Sequence, residues 1–95
     1  MKKIFKYQLA NVDLQNVEMP QGSEILCIQT QNEIPCIWAL VDPNKEPINR
    51  RIGIFGTGQE LPMLPINENA TYIGTYQLQM SELGGTLVFH CFEIV

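Results

Sequence analysis

Residues 24–41 read EILCIQTQNEIPCIWALV, two apolar runs separated by Asn32 and Glu33. Asparagine tolerates the positive φ that a two-residue hairpin turn demands. The segment therefore predicts a tight antiparallel hairpin, with residues 24–30 and 34–41 as strands and Asn32 and Glu33 as the loop. Slipping the loop back to Gln31 and Asn32 would take the asparagine out of its better position.

This loop determines which residues lie opposite each other in the hairpin. The expected pairs are Cys27 with Trp38, Ile25 with Leu40, Gln29 with Cys36, Leu26 with Ala39, and Ile28 with Ile37. Both faces of the hairpin are then apolar, whereas a strand with one face in water alternates apolar and polar residues. We therefore expect the hairpin to be covered on both sides, by the rest of the fold or by a second subunit.

The rest of the chain repeats the pattern of short apolar runs separated by turn residues, which is typical of all-β proteins. Further runs cover residues 3–9, 14–19, 51–57, 70–79 and 86–94. No window of ten or more residues shows a helical period. We predict one all-β domain over residues 1–95, with six to seven mostly antiparallel strands in a small sandwich or partly closed barrel. Residues 43–49 are interpreted as a loop, and residues 58–69 as either a lid or a connection.

The last run is apolar on one face and apolar apart from His90 on the other. A strand of this kind left as a bare edge would promote aggregation. The run is therefore predicted to be a central strand or part of an interface.

Composition excludes several classes of protein. The chain has 95 residues, is 45% hydrophobic and 17% charged, and carries a net charge of −4. Disordered chains have fewer apolar residues, and proteins that bind duplex nucleic acid show a basic face. No stretch approaches the ~20 apolar residues of a membrane span, and the N-terminus lacks the apolar segment of a signal peptide. We expect a cytoplasmic protein that forms a homo-oligomer, because its strands have few polar positions.

The cysteines and the single histidine do not form a metal-binding pattern. Cys27, Cys36 and Cys91 are widely spaced, and His90 is the only histidine. A structural zinc site needs four ligands at compact spacing. We predict buried thiols in a reducing compartment, with no metal, no cofactor and no catalytic residue; an enzyme using His90 as a base is the least favoured alternative.

Eight residues are candidates for binding a small anionic or nucleotide-like ligand. They are Arg50, Arg51, Gly56, Thr57, Gly58, Tyr72, Tyr76 and His90. An arginine fork suits phosphate, glycine amides can surround an anion, and tyrosines can stack on a flat ring. The two arginines are adjacent in a strand, so they are expected to point to opposite faces. The two tyrosines, with Gly74 between them, are expected to share a face. The alternative for each residue is a structural role, as a strand end, a turn or a core side chain.

Six segments resemble a family of small phage and prophage proteins of unknown function. These segments are residues 4–9 (IFKYQL), 19–26 (MPQGSEIL), 35–42 (PCIWALVD), 55–58 (FGTG), 72–78 (YIGTYQL) and 87–93 (LVFHCFE). The chain departs from the family in having Glu33 where a glycine would suit the hairpin, and in a longer stretch between Gly58 and Tyr72. The resemblance implies a viral or prophage origin and supplies no known activity or site.

These observations lead to three hypotheses about function. The leading one is a non-enzymatic phage-type binding module, a sponge that sequesters a nucleotide-derived host immune signal. The second is an inhibitor of a host protein or a minor virion component that uses the apolar faces. The third, the least favoured, is an enzyme that uses His90. The role in countering host defence rests on analogy with other small phage proteins.

Overall fold

The structure is a computed structural model that describes residues 1–61, 70–80 and 84–94. The strands are β1 (Lys3–Gln8), β2 (Leu14–Pro20), β3 (Glu24–Gln31), β4 (Ile34–Val41), β5 (Pro47–Gly56), β6 (Ala70–Met80) and β7 (Gly85–Ile94). Every pairing between neighbouring strands is antiparallel. The prediction of an all-β fold is confirmed, and no helix that could cross a membrane occurs in the described part of the chain.

The strands form two sheets. One sheet has three strands in the order β1-β4-β3, and the other has four in the order β2-β5-β7-β6. Each sheet keeps two edges, so the fold is an open sandwich and not a closed barrel. β7 lies between β5 and β6, which confirms the prediction that the last run is a central strand.

The core lies between the two sheets. Its largest fully buried side chains are those of Met19, Ile37, Val41, Ile52 and Cys91. Burying a large apolar side chain stabilises a fold by roughly 1.5–3 kcal/mol, so these residues hold the two layers together. Burial also raises the pKa of the Cys91 thiol to about 12, which keeps it a neutral apolar group. The cysteine prediction is confirmed for Cys36 and Cys91, whereas Cys27 is half-buried.

The hairpin has the predicted loop. Asn32 and Glu33 have φ values of 54° and 63°, the left-handed pair that a two-residue hairpin turn requires. The predicted pairs of Cys27, Ile28 and Gln29 with β4 are confirmed.

The two predicted pairs farther from the loop are wrong. The register shifts between Ile25 and Cys27, so Ile25 lies opposite Ala39 and Glu24 lies opposite Leu40. The cause is a β-bulge, in which Leu26 is an extra residue on β3 without a counterpart on β4.

The hairpin is covered by the rest of the described fold on one side only. Ile37 and Ala39 point into the core, whereas Trp38 and Leu40, in the alternate positions of β4, are half-buried on the outward face. The bulged Leu26 is 44% exposed. The expectation of cover on both sides therefore depends on a second molecule.

Strand β5 begins earlier than predicted. Residues 47–49 belong to the strand because they pair with the end of β2, from Glu18 to Pro20. The interpretation of residues 43–49 as a loop is therefore wrong for its last three residues. The choice between a lid and a connection for residues 58–69 falls on a segment that, beyond Leu61, lies outside the described residues.

Candidate functional site

His90 lies at the centre of the outward face of the four-stranded sheet. Cys91, next to His90 on β7, and Ile54, next to Phe55 on β5, both lie in the core. His90 and Phe55 therefore point outward. His90 is opposite Phe55 on one side and Thr75 on the other. Because β7 is a central strand, side chains from β5 and β6 flank the imidazole on both sides.

Both ring nitrogens of His90 are hydrogen-bonded to threonine hydroxyls. Nε2 lies 2.7 Å from Thr57 Oγ1, and Nδ1 lies 3.0 Å from Thr75 Oγ1. The Tyr72 hydroxyl is hydrogen-bonded to Thr75 Oγ1 in turn. We call these four residues the His90 network. Its hydrogen bonds fix the orientation of the imidazole and of the Tyr72 hydroxyl at the surface.

The hydrogen bonds of the His90 network have a preferred donor-to-acceptor direction. Thr57 Oγ1 also lies 3.4 Å from the Val88 carbonyl oxygen, which can only accept a hydrogen bond. If Thr57 donates to this carbonyl, a neutral His90 must donate from Nε2 and accept at Nδ1 from Thr75. Thr75 then accepts from Tyr72, so the Tyr72 oxygen keeps its capacity to accept a hydrogen bond.

We therefore expect the Nε2–H tautomer of neutral His90 in the free protein. Long-range ¹H–¹⁵N NMR spectra distinguish the protonated ring nitrogen from the unprotonated one, and the protonated signal should belong to Nε2. The Thr57→Val variant removes the acceptor for Nε2–H and should weaken this preference. A free protein with the proton on Nδ1 would reverse the assigned direction of the network.

An aromatic row borders the His90 network. Phe92 packs against Phe55 with ring centroids 6.3 Å apart, and against Tyr72 edge-on at 5.5 Å. Phe55 is buried and Phe92 is half-buried, whereas Tyr72 is 57% exposed. The row therefore ends in a tyrosine with an accessible aromatic surface.

The turn after β5 positions Thr57. The Gln59 amide donates to the Gly56 carbonyl at 3.1 Å, and Gly58 has a φ of +86°, which favours glycine. The Gly56 amide donates to Gln59 Oε1 at 3.0 Å, and the Thr57 amide donates to the Val88 carbonyl at 3.1 Å. Two of the amides considered for anion binding thus have partners within the protein, and the turn instead holds the Thr57 side chain next to His90.

The two arginines point to opposite faces, as predicted. Arg51 is exposed on the outward face of β5, the face that carries Phe55. Arg50 points inward, where its Nη2 donates to Glu93 Oε1 at 2.8 Å, its Nε donates to the other carboxylate oxygen, and its Nη1 donates to the Ser23 carbonyl at 2.8 Å. The hydrogen bonds to Glu93 raise the pKa of Arg50. Arg50 therefore links β5, β7 and the start of β3.

The prediction that Tyr72 and Tyr76 share a face is wrong. The register shifts between Tyr72 and Gly74, so Ile73 is an extra residue that reverses the alternation of β6. Tyr76 is buried in the core, stacks on Phe89 at 5.5 Å, and donates its hydroxyl to Asn11 Oδ1 at 2.7 Å. Burial raises its pKa, and the nearby Cys91 thiol adds to this shift.

A cleft of about 460 Å³ adjoins the His90 network at Tyr72 and lies between β3 and β6, the edge strands of the two sheets. Arg50 and Glu93 form part of its lining. The charges of Arg50 and Glu93 are already paired with each other, and the carboxylate of Glu24 adds a negative charge to the lining, so the cleft does not favour an anionic ligand.

The structure thus brings together only some of the predicted residues. Thr57, Tyr72 and His90 are joined in the network, the glycines on either side of Thr57 shape the adjoining turn, and Arg51 shares the outward face. Arg50 points away from this face toward Glu93, and Tyr76 is buried in the core. Thr75 and Phe92 were not among the predicted residues, because their only signal in the sequence was their alternation with core residues on β6 and β7.

The architecture and this surface define a small, two-sheet β sandwich with a polar and aromatic patch on its larger sheet. The chain belongs to the family described as a domain of unknown function (DUF7352), whose model matches residues 1–95. No curated protein and no solved structure matches the chain. The resemblance to a family of unknown function is confirmed, while the phage origin stays a prediction.

Proposed function

We propose that this protein is a non-enzymatic binding module that holds a small, flat, polar ligand on the outward face of its four-stranded sheet. The observation that supports this proposal is the His90 network beside the aromatic row. A nucleotide-type ligand matches this arrangement, because it combines a ring that stacks on an aromatic side chain with groups that form hydrogen bonds.

The site is organised before a ligand arrives. Thr75 and His90 are on neighbouring strands, and Thr57 is held by the turn and by its amide bond to Val88. Polar groups on rigid elements lose little conformational freedom on binding, which favours affinity. The imidazole has hydroxyl partners on both nitrogens, which supports a role in holding these hydroxyls in position.

Each part of the site has a chemical role in the proposal. The exposed ring of Tyr72 supplies a stacking surface, which contributes roughly 1–3 kcal/mol per base where proteins bind unpaired nucleotides. The Tyr72 oxygen accepts a hydrogen bond from an amino or imino group of the ligand. The Arg51 guanidinium, on the same outward face, would meet an anionic group at the edge of the site.

The predicted phage origin suggests the biological ligand. A phage protein of this kind in the host cytoplasm would act by sequestering a nucleotide-derived defence signal. Sequestration needs only tight binding and no chemical conversion, which agrees with a site built from hydroxyls and aromatic rings.

A thermal-shift screen against nucleotides and cyclic nucleotides tests the proposal. A ligand that binds only the folded state raises the melting temperature by mass action, so at least one compound should raise it by several degrees. The Thr75→Val variant breaks the network and should weaken binding of that compound about tenfold, the effect of losing a hydrogen bond of ordinary strength. Thr71→Val is the matched control, since Thr71 is an exposed threonine on the same strand opposite Glu93, and it should bind normally.

Other outcomes would point to the alternative functions. A panel without any stabilising compound, together with specific capture of a host protein, would favour the inhibitor hypothesis. A ligand that is bound and then consumed, with consumption lost in His90→Ala, would favour an enzyme. Thr57 and His90 are within hydrogen-bonding distance, as a hydroxyl nucleophile and its base would be, so the screen should include analysis of the recovered ligand.

A further inference from the structure

The outward face of the three-stranded sheet carries an apolar centre with polar residues around it. Trp38 and Leu40 on the central strand β4 are half-buried there, and Ile4 on β1 is 60% exposed. Protein interfaces have the same anatomy, with large apolar residues in the middle and a polar rim.

The strand registers arrange this face in rows. One row is Ile4, Leu40 and Glu24, the next is Lys6, Trp38 and Cys27, and the third is Gln8, Cys36 and Gln29. The charges are divided between the two edges of the face. Lys6 is on β1 and Glu24 is on β3, on either side of the tryptophan strand.

The Lys6 side chain extends across this face. Its Nζ donates to Gln31 Oε1 at 2.6 Å, so the side chain reaches from β1 across β4 to β3. The amide of Gln31 is a neutral partner, and a carboxylate in its place would form a stronger, charge-assisted hydrogen bond.

We infer that this face binds a second copy of the same chain, with the two-fold axis parallel to β4. This symmetry places β1 of one copy over β3 of the other, and the two Trp38 side chains meet at the centre. Lys6 of each copy then lies over Cys27 of the other copy, one row from Glu24, which its long side chain can reach. A two-fold axis perpendicular to the strands would place Lys6 over Lys6. The charges therefore favour the face-to-face arrangement whose two-fold axis is parallel to β4.

The size of the face predicts a weak dimer. Three strands about 4.8 Å apart and about seven residues long cover roughly 350 Å² per copy. Roughly 700 Å² in total is below the 1,200–2,000 Å² that is typical of stable complexes. We expect a reversible dimer that forms at high protein concentration and dissociates on dilution.

Sedimentation equilibrium over a wide concentration range, at physiological salt, tests this inference with charge-reversal variants. Lys6→Glu and Glu24→Lys should each weaken self-association at least about tenfold, because like charges then meet across the interface. An equimolar mixture of the two variants should associate again, since each copy supplies the charge that the other has lost. Lys45→Glu is the control, because Lys45 is exposed in the turn before β5 and should leave association unchanged.

The fluorescence of Trp38, the only tryptophan, gives a second readout. Its emission should shift to the blue as protein concentration rises, and the shift should be absent in both single-charge variants and restored in their mixture. A protein that stays monomeric up to about 1 mM, or two variants whose mixture does not associate, would overturn the inference. Specific capture of another protein by a chain that remains monomeric would assign the face to that partner instead.

Discussion

Replacing Gly53 with alanine is expected to destabilise the protein by about 2 kcal/mol, the middle of the range for overpacked positions. A Cβ atom at this position would lie 2.7 Å from Ile94 Cδ1 and 2.8 Å from Phe55 Cε2, so both side chains would have to move. Phe55 is part of the aromatic row, so the variant should also disturb the candidate site. Thermal unfolding measures the effect, and a loss of about 2 kcal/mol lowers the melting temperature of a domain of this size by roughly 8–16 °C.

Gly56→Ala provides a matched control on the same strand. A Cβ atom there would come no closer than 3.8 Å to Phe89 or any other side chain, which is ordinary van der Waals contact. This variant should be neutral, or more stable by about 0.4–1 kcal/mol, because alanine reduces the freedom of the unfolded chain. Equal effects of the two substitutions would contradict the packing described for the outward face of β5.

Replacing Arg50 with methionine is the second substitution with a large expected effect. Arg50 and Glu93 are 17% and 21% exposed, and the substitution leaves the carboxylate and the Ser23 carbonyl without their donor. Breaking a fully buried pair typically costs about 3–5 kcal/mol. Because this pair retains some contact with water, we expect a loss of about 2 kcal/mol in chemical denaturation, between the values for exposed and buried pairs.

Arg51→Met is the control for this substitution. Arg51 is the neighbouring residue, but it is exposed on the opposite face, and an exposed arginine contributes roughly 0–1 kcal/mol. A double-mutant cycle of Arg50→Met with Glu93→Gln should show strong coupling between the two sites. If Arg51→Met were as destabilising as Arg50→Met, the assignment of the two arginines to opposite faces would be wrong.

The sequence was sufficient to predict the all-β class and the hairpin loop. Apolar alternation reports strands directly, and the positive φ values of Asn32 and Glu33 follow from the turn that two residues must make. The sequence did not distinguish a sandwich from a partly closed barrel, because strand order depends on contacts between distant parts of the chain.

The two β-bulges explain most of the errors in detail. Leu26 and Ile73 are apolar residues inside apolar runs, and no sequence signal marks either one as the extra residue of a bulge. Each bulge reverses the inward and outward alternation of the side chains that follow it. The bulge at Ile73 is the reason that Tyr76 was predicted on the wrong face. The candidate site was therefore predicted only in part: Thr57, Tyr72 and His90 were named from their chemistry, whereas Thr75 became visible once the β6–β7 register was known.

NMR chemical-shift mapping of the ¹⁵N-labelled protein, titrated with each stabilising compound of the nucleotide panel, tests the binding-surface proposal most directly. We predict that the largest shifts fall on Thr57, Tyr72, Thr75 and His90, with none of comparable size on the three-stranded sheet. Shifts centred on Ser23 and Glu24, on the side of the cleft away from Tyr72, or no saturable shifts with any compound, would contradict the assignment of this surface as the ligand site.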